Sequence, residues 1–172
     1  MLPTIAREPD AVVMIDQRKL PGEERYVRCK TAAEVARAIK TMVIRGAPAI
    51  GVAAAMGIAL AMNRSKAKGT KQFAVEFTKT CDLMASTRPT AVNLFWAIER
   101  MKSAFRDGVQ AGESVDDLKI RLEAEAHRIH DEDYESCRAM GRFGAELVPE
   151  GARILTHCNT GPLACGQFGT AW

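Results

Sequence analysis

A long run without a charged side chain, from Gly46 to Met62, constrains the fold of this chain more than any other feature. The run is rich in alanine and glycine, and it falls short of the roughly 20 apolar residues that a helix needs to cross a bilayer. We therefore predict a helix that is buried inside the protein. Hydrophobic residues form 47% of the 172-residue chain, which suffices for a sizeable core without disulfide or metal cross-links.

Helical periodicity predicts further helices on both sides of this run. Thr31, with Glu34 three residues later, forms a capping box, which is typical of a helix start. From Ser114 to Leu147 the helical pattern continues for longer than in most globular helices, and we expect one long or broken helix there. The remaining predicted helices span residues 72–86 and about 90–106, the second of them stopped by Gly108.

Two stretches are typical of β-structure. Residues 11–29 are predicted to form a β-hairpin, because apolar or β-branched segments flank a Leu-Pro-Gly turn signal. Residues 153–158 have the pattern of a buried strand that feeds a glycine-containing loop. We therefore expect a mainly α-helical N-terminal domain with a small β-hairpin over residues 1–149. Residues 150–172 would be a stub with the first strand of a truncated α/β, Rossmann-like domain.

Charge and cysteine content exclude several classes of protein. The chain has 24 Lys and Arg against 21 Asp and Glu, and the net charge of +3 is too weak to indicate a nucleic-acid partner without a basic patch. Five cysteines at irregular spacing, without a secretory signal, favour a reducing compartment over a disulfide framework. We expect a cytoplasmic protein that binds neither nucleic acid nor a membrane.

An arginine just ahead of a helix start occurs twice and predicts an anion site. In Arg45-Gly46-Ala47-Pro48 the glycine permits close approach to the backbone, and the proline suits the first helical turn. Arg88 precedes a proline in the same way. A guanidinium group and the N–H groups of a helix N-terminus both favour tetrahedral oxyanions, so the two places could converge on one phosphate. The alternative is that each arginine caps a neighbouring helix or pairs with a surface carboxylate.

Cys158 is the candidate nucleophile or acid–base group. It follows the predicted strand and precedes a polar, turn-forming Asn-Thr-Gly segment, so the thiol should lie at a loop mouth, where open α/β sheets bind ligands. Nearby cations would activate such a thiol. The alternative is that Cys158 is a small buried hydrophobic residue. His157 would point to the opposite face of a strand, which argues against a Cys-His dyad.

The sequence assigns no metal ligands. His127 and His130, together with Asp131 and Asp133, could share one helical face. That stretch is dense in charged residues, however, and a solvated helix face explains it better. The cysteines also lack the Cys-x-x-Cys spacing of zinc or thioredoxin-like sites.

Five segments together resemble the methylthioribose-1-phosphate isomerase family. They occur in the family's order and spacing and cover the chain nearly end to end. Related members of the superfamily are ribose-1,5-bisphosphate isomerase and the regulatory subunits of the exchange factor for eukaryotic initiation factor 2. The segments are residues 14–21, 26–31, 39–51, 86–94 and 154–161.

The resemblance implies an aldose–ketose isomerase, an intramolecular oxidoreductase of methionine salvage. Such an enzyme converts 5-methylthioribose 1-phosphate into 5-methylthioribulose 1-phosphate and uses neither a metal nor an organic cofactor. By motif match, Cys158 is the catalytic cysteine, and Arg45, Gly46, Ala47 and Arg88 bind the substrate. The resemblance further implies a homodimer in the cytoplasm.

Members of this family are about twice as long and have a Rossmann-like second half. Their acid–base aspartate lies in that half, so we expect this chain to be truncated and inactive alone. Two other functions stay open: a non-catalytic phosphosugar- or nucleotide-binding regulatory protein of the same superfamily, and an isomerase of another 5-deoxypentose 1-phosphate. Cys158 and the Arg-Gly-Ala motif argue against the regulatory protein, which would not need that thiol.

Overall fold

The structure is a computed structural model that describes residues 3–171, and a buried helix lies at its centre. The helices are α1 (Ala32–Lys40), α2 (Ala47–Asn63), α3 (Thr70–Ala85), α4 (Val92–Gln110) and α5 (Val115–Ala145). The strands are β1 (Ile5–Glu8), β2 (Ala11–Ile15) and β3 (Tyr26–Cys29), and a short 3₁₀ helix, η1, spans Pro162–Ala164.

Helix α2 is the uncharged run, and it is buried as predicted. All its residues from Ala49 to Leu60 are buried, and the other four helices pack against it. Gly51 permits the close approach of α4, because a Cβ atom there would lie 2.8 Å from the carbonyl oxygen of Asn93 in α4. Within residues 3–171, none of the helices combines the length and the apolar composition that crossing a bilayer requires.

Helix α1 begins at the predicted capping box, with Thr31 and Glu34 each bonding the other's backbone N–H. The prediction that α4 ends at Gly108 is wrong, since the helix continues to Gln110. Gly108 is instead a packing residue: a Cβ atom there would lie 2.6 Å from Cδ2 of Leu118 in α5. The true stop is Gly112, which follows the last turn with a φ of 73°.

Helix α5 is one unbroken helix of 31 residues, which settles the choice between a long and a broken helix. A second capping box, formed by Ser114 and Asp117, starts it. Its first half buries Leu118, Leu122 and Ile129 against α2 and α4. Its second half carries exposed apolar side chains beyond this core.

The predicted hairpin forms β2 and β3, which pair antiparallel with Val12 opposite Cys29. Strand β1 was not expected from the sequence; it adds to the free edge of β2, so the sheet order is β1-β2-β3. An ion pair joins β1 to the bundle, because the buried guanidinium of Arg7 lies 3.0 Å from a carboxylate oxygen of Glu123 in α5.

The predicted strand over residues 153–158 does not form in the described part of the chain. Residues 152–157 are irregular, and 67% of Ile154 and 98% of Leu155 are exposed. A strand needs backbone hydrogen bonds to a neighbour, and the described residues supply no neighbour here. The predicted first strand of a Rossmann-like domain is therefore not formed in this structure. The other part of the predicted fold class, a mainly helical fold with a small antiparallel sheet, is confirmed.

Candidate functional site

Arg45, Gly46, Ala47 and Pro48 form the N-terminal end of α2, as predicted. Gly46 is the N-cap residue and has a φ of 110°, which residues with a side chain rarely adopt. Among the described residues, no side chain caps this end and no acidic residue lies in its first turn. The backbone of Ala164 packs against Gly46, but Arg45 and Ala47 on either side are exposed, so an anion can reach this positive helix end beside Ala164.

Arg88 lies just ahead of the proline that precedes α4, and it is half-buried. Its Nη1 atom is buried and has no hydrogen-bond acceptor among the described residues. An unpaired buried donor costs about 1–3 kcal/mol, and more when the group is charged. An acceptor from outside the chain would therefore be bound favourably at this position.

The ion pairs among the described residues include neither arginine of the predicted anion site. This observation argues against the alternative in which Arg45 and Arg88 serve to pair with surface carboxylates. Both guanidinium groups thus keep hydrogen-bonding capacity for a ligand.

The starts of α2 and α4 lie side by side. Gly51 in the second turn of α2 approaches Asn93 in the first turn of α4, as described above. A groove of about 370 Å³ runs between these helix starts and α5. The polar residues that line it include Asn93, Glu132 and Asp133. The adjacency brings the two arginine-bearing segments to the same end of the bundle; that both bind one phosphate stays a prediction.

Two acidic residues of α5 form one wall of this groove. Arg100 hydrogen-bonds Glu132 and holds the pKa of that carboxyl below its usual range. Asp133 accepts a hydrogen bond of 2.7 Å from the backbone N–H of Gly166, while burial raises the pKa of its carboxyl. The wall therefore presents carboxylate oxygens, which accept hydrogen bonds from sugar hydroxyls but repel an anionic group such as a phosphate.

Cys158 is exposed, as expected of a thiol at a loop mouth, but it does not end a strand. Its φ is 64°, in the left-handed region, which costs a non-glycine residue about 1–2 kcal/mol. Such strain is concentrated at functional sites. The exposure contradicts the alternative of a small buried hydrophobic residue. His157, also exposed, lies in the irregular segment, so the argument from strand alternation does not apply to it.

Gln17 ties the segment after Cys158 to the start of α2, a role that sequence reasoning missed. Its side chain is 4% exposed, and Nε2 donates to the carbonyl oxygens of Arg45 (3.1 Å) and Leu163 (2.7 Å). Thr4 adds a hydrogen bond of 2.6 Å to the carbonyl oxygen of Pro162. The only available signal was that Gln17 belongs to a family-like segment, since nothing local indicates a partner 146 residues away.

The helix face with the histidines is solvated only in part. His127 and Asp131 are exposed, as predicted. His130 and Asp133 are partly covered, because the segment around Gly166 packs over them. The sequence could not show this contact, since the covering residues lie more than 30 positions away in the chain.

Comparison with known proteins gives a consistent set of relatives. The model of the initiation factor 2 subunit family matches residues 43–171. The methylthioribose-1-phosphate isomerase of Geobacter metallireducens is 54% identical over 168 residues, and that of Koribacter versatilis is 49% identical over 171 residues. These alignments cover 98% and 99% of this chain, but 48% of each relative. The chain thus spans about half the length of the curated relatives it matches.

Two solved structures share the fold. The 5-methylthioribose 1-phosphate isomerase of Pyrococcus horikoshii superposes with a TM-score of 0.93 at 44% identity, over 98% of this chain and 47% of that one. The translation initiation factor eIF-2B subunit delta of A. fulgidus superposes with a TM-score of 0.87 at 41% identity, over 98% of this chain and 48% of that one.

Proposed function

Because this chain belongs to the initiation factor 2 subunit family, we propose that it forms the substrate-binding part of an isomerase that converts 5-methylthioribose 1-phosphate into 5-methylthioribulose 1-phosphate. Relatives with that name match nearly the whole chain at 49–54% identity. The structural observation that carries the proposal is the buried Nη1 atom of Arg88, a cationic donor without an acceptor among the described residues. It lies just ahead of a helix start that adjoins the open N-terminus of α2.

The phosphate of the substrate binds at the two arginines in this proposal. Arg45 and Arg88 contribute guanidinium donors, and Gly46 and Ala47 contribute the positive end of α2 with no side chain in the way. This assignment is supported by the two guanidinium groups, which are cationic and have no ion-pair partner among the described residues. The sugar hydroxyls then face the carboxylate wall at Glu132 and Asp133.

The reaction itself needs no net oxidant. The C1–O4 bond of the furanose breaks, O4 gains the proton that O2 loses, the hydrogen at C2 is transferred to C1, and O2 becomes the ketone oxygen, so substrate and product are isomers. Cys158 is the residue of this chain that we assign to the C1–C2 region, where it assists proton transfer or stabilises the transition state. Its exposure and the contact of the following segment with Gly46 support this placement. The family resemblance implies an acid–base aspartate in the second half of family members, and we assign that role to no aspartate of this chain.

A regulatory protein that binds a phosphosugar or nucleotide without turnover is the second candidate. The likeness to the initiation factor delta subunit favours it. Both candidates use the same anion site, so phosphate binding alone does not separate them. The exposed and strained Cys158 is the feature that a purely regulatory protein would not need.

Titration calorimetry tests the proposal on the 172-residue chain. We expect 5-methylthioribose 1-phosphate to bind more tightly than a nucleoside 5′-monophosphate; the reverse order would favour the regulatory protein. Arg45→Ala should weaken binding by about 1.5–3 kcal/mol, the range for a charge-assisted hydrogen bond. Arg25→Ala is the charge-matched control, because it removes an exposed arginine that lies directly before β3. Equal losses in the two variants would contradict an anion site at the start of α2.

A further inference from the structure

Three potential metal ligands meet where the segment after η1 packs on α5. Asp133 and Cys137 lie one helical turn apart on α5, and Cys165 follows η1. One ligand atom from each residue lies within 4.8 Å of the other two. Both cysteines are buried, and they form a small hydrophobic cluster with Ala164 that is separate from the main core. Neither cysteine lines the groove proposed to hold the substrate, and Asp133 is the one residue that the cluster shares with the wall of that groove.

We propose that Asp133, Cys137 and Cys165 form a Zn²⁺ site that fastens the segment after Cys158 to α5. The Sγ atoms of the two cysteines are 3.7 Å apart. Two thiolates on a tetrahedral Zn²⁺, each at about 2.3 Å, lie about 3.8 Å from one another. The sulfurs therefore already have the separation that one metal ion requires, and a carboxylate oxygen completes three protein ligands.

An imidazole lies near the cluster, although its nitrogens are not within 4.8 Å of all three ligand atoms. The Nε2 atom of His130 is buried and has no hydrogen-bond partner among the described residues. This atom and Oδ2 of Asp133 lie 3.2 and 3.3 Å from the position that a Cβ atom on Gly166 would occupy. Imidazole, thiolate and carboxylate are the ligand types that Zn²⁺ selects. His130 is therefore the residue that we assign as the fourth ligand, and its ring would have to move closer to the two sulfurs to bind the same ion.

Binding of Zn²⁺ at this site is coupled to proton release. Binding would deprotonate Cys137 and Cys165, release two protons to solvent and leave three anionic ligands around one ion of charge +2. Asp133 is partly covered, and the backbone N–H of Gly166 is the hydrogen-bond donor that it has among the described residues. Because its ligands come from α5 and from the residue that follows η1, the ion would fasten that segment to α5.

Co²⁺ is the probe of choice, since it replaces Zn²⁺ in tetrahedral thiolate sites and is coloured. The reduced 172-residue chain is first stripped with a chelator and then titrated with Co²⁺. We expect one equivalent to bind, with a thiolate-to-metal charge-transfer band and the visible bands of a tetrahedral ion, and we expect Zn²⁺ to displace it. Zn²⁺ should also raise the unfolding temperature, because only the folded state brings the three ligands together and so binds the ion more tightly.

Cys137→Ser and Cys165→Ser should each lower the affinity more than about 10-fold, since loss of even an outer-shell partner costs that much. Cys29→Ser, a buried cysteine on β3, is the matched control and should bind normally. Circular dichroism of each metal-free variant confirms that it folds. Absence of the charge-transfer band, or equal affinity in all three variants, would overturn the proposal. A Cys137–Cys165 disulfide in the isolated protein, with no metal uptake after reduction, would also overturn it.

Discussion

Gly46→Ala tests whether the start of α2 and the segment after Cys158 are built as one unit. A Cβ atom at this position would lie 2.4 Å from the Cα atom and 2.7 Å from the carbonyl oxygen of Ala164. Both are backbone atoms, so no side-chain rotation relieves the overlap. The substitution also forces alanine into a φ of 110°.

The cost follows from two contributions. A positive φ costs an alanine about 1–2 kcal/mol. The overlap can be relieved only if residues 162–166 move away, which breaks their hydrogen bonds to Thr4, Gln17 and Asp133. At about 1 kcal/mol for each of these bonds, detachment adds about 3 kcal/mol. We therefore expect Gly46→Ala to lower the free energy of unfolding by about 4–5 kcal/mol, with residues 162–166 detached from the start of α2.

Urea unfolding of the 172-residue chain measures this loss, and two glycines serve as controls. Gly112 has a φ of 73° but nothing within 4 Å of the position that a Cβ atom would take, so Gly112→Ala reports the backbone strain alone. Gly69 has neither feature, and Gly69→Ala should change stability little. Limited proteolysis shows whether residues 162–166 are released. If Gly46→Ala and Gly112→Ala were equally destabilised, the packing argument would be refuted.

Four further outcomes are expected. Arg88→Ala should weaken inorganic phosphate binding at least about 10-fold by calorimetry, whereas Arg106→Ala, an exposed arginine in the second half of α4, should not. Iodoacetamide should alkylate Cys158 first, because the other four cysteines are buried; mass spectrometry that finds another site labelled equally fast would contradict the assigned exposure. Arg18 lowers the pKa of the buried Asp16, so the pair stabilises the fold above the unfolded-state value near about 4 and loses this effect as the pH falls through the lower folded-state pKa. Chemical unfolding should accordingly show that Arg18→Ala destabilises the chain at neutral pH and has no effect in strong acid. Finally, sedimentation should give a dimer if the exposed apolar end of α5 is covered by a second copy; a monomer at all concentrations would oppose this.

Local signals predicted most of the helical fold. The capping box at Thr31 and the uncharged run that forms α2 each act through neighbours in the chain, and both predictions were confirmed. Strand β1 was missed because its four residues carry little pattern and are stabilised by pairing with β2. Gly108 was misjudged because a glycine that ends a helix and one that lets another helix approach look alike in sequence.

The candidate site was predictable where a single segment contains it. The arginine-and-helix-start motif needs only consecutive residues, so Arg45 and Gly46 could be selected before their surroundings were known. The role of Gln17 could not be predicted, since its two hydrogen-bond acceptors lie 28 and 146 residues away in the chain. The cluster of Asp133, Cys137 and Cys165 was invisible for the same reason, because the contact distance between segments is set by packing and not by spacing along the chain.

The sequence by itself determined that a buried central helix exists and that two arginines stand ahead of helix starts, because charge, periodicity and capping act over a few residues. Only the tertiary structure decided that α2 and α4 start side by side and that the backbone of Ala164 rests against Gly46. It also decided that residues 153–158 form no strand here, since β-structure requires hydrogen bonds from a neighbouring strand and an apolar pattern cannot supply them.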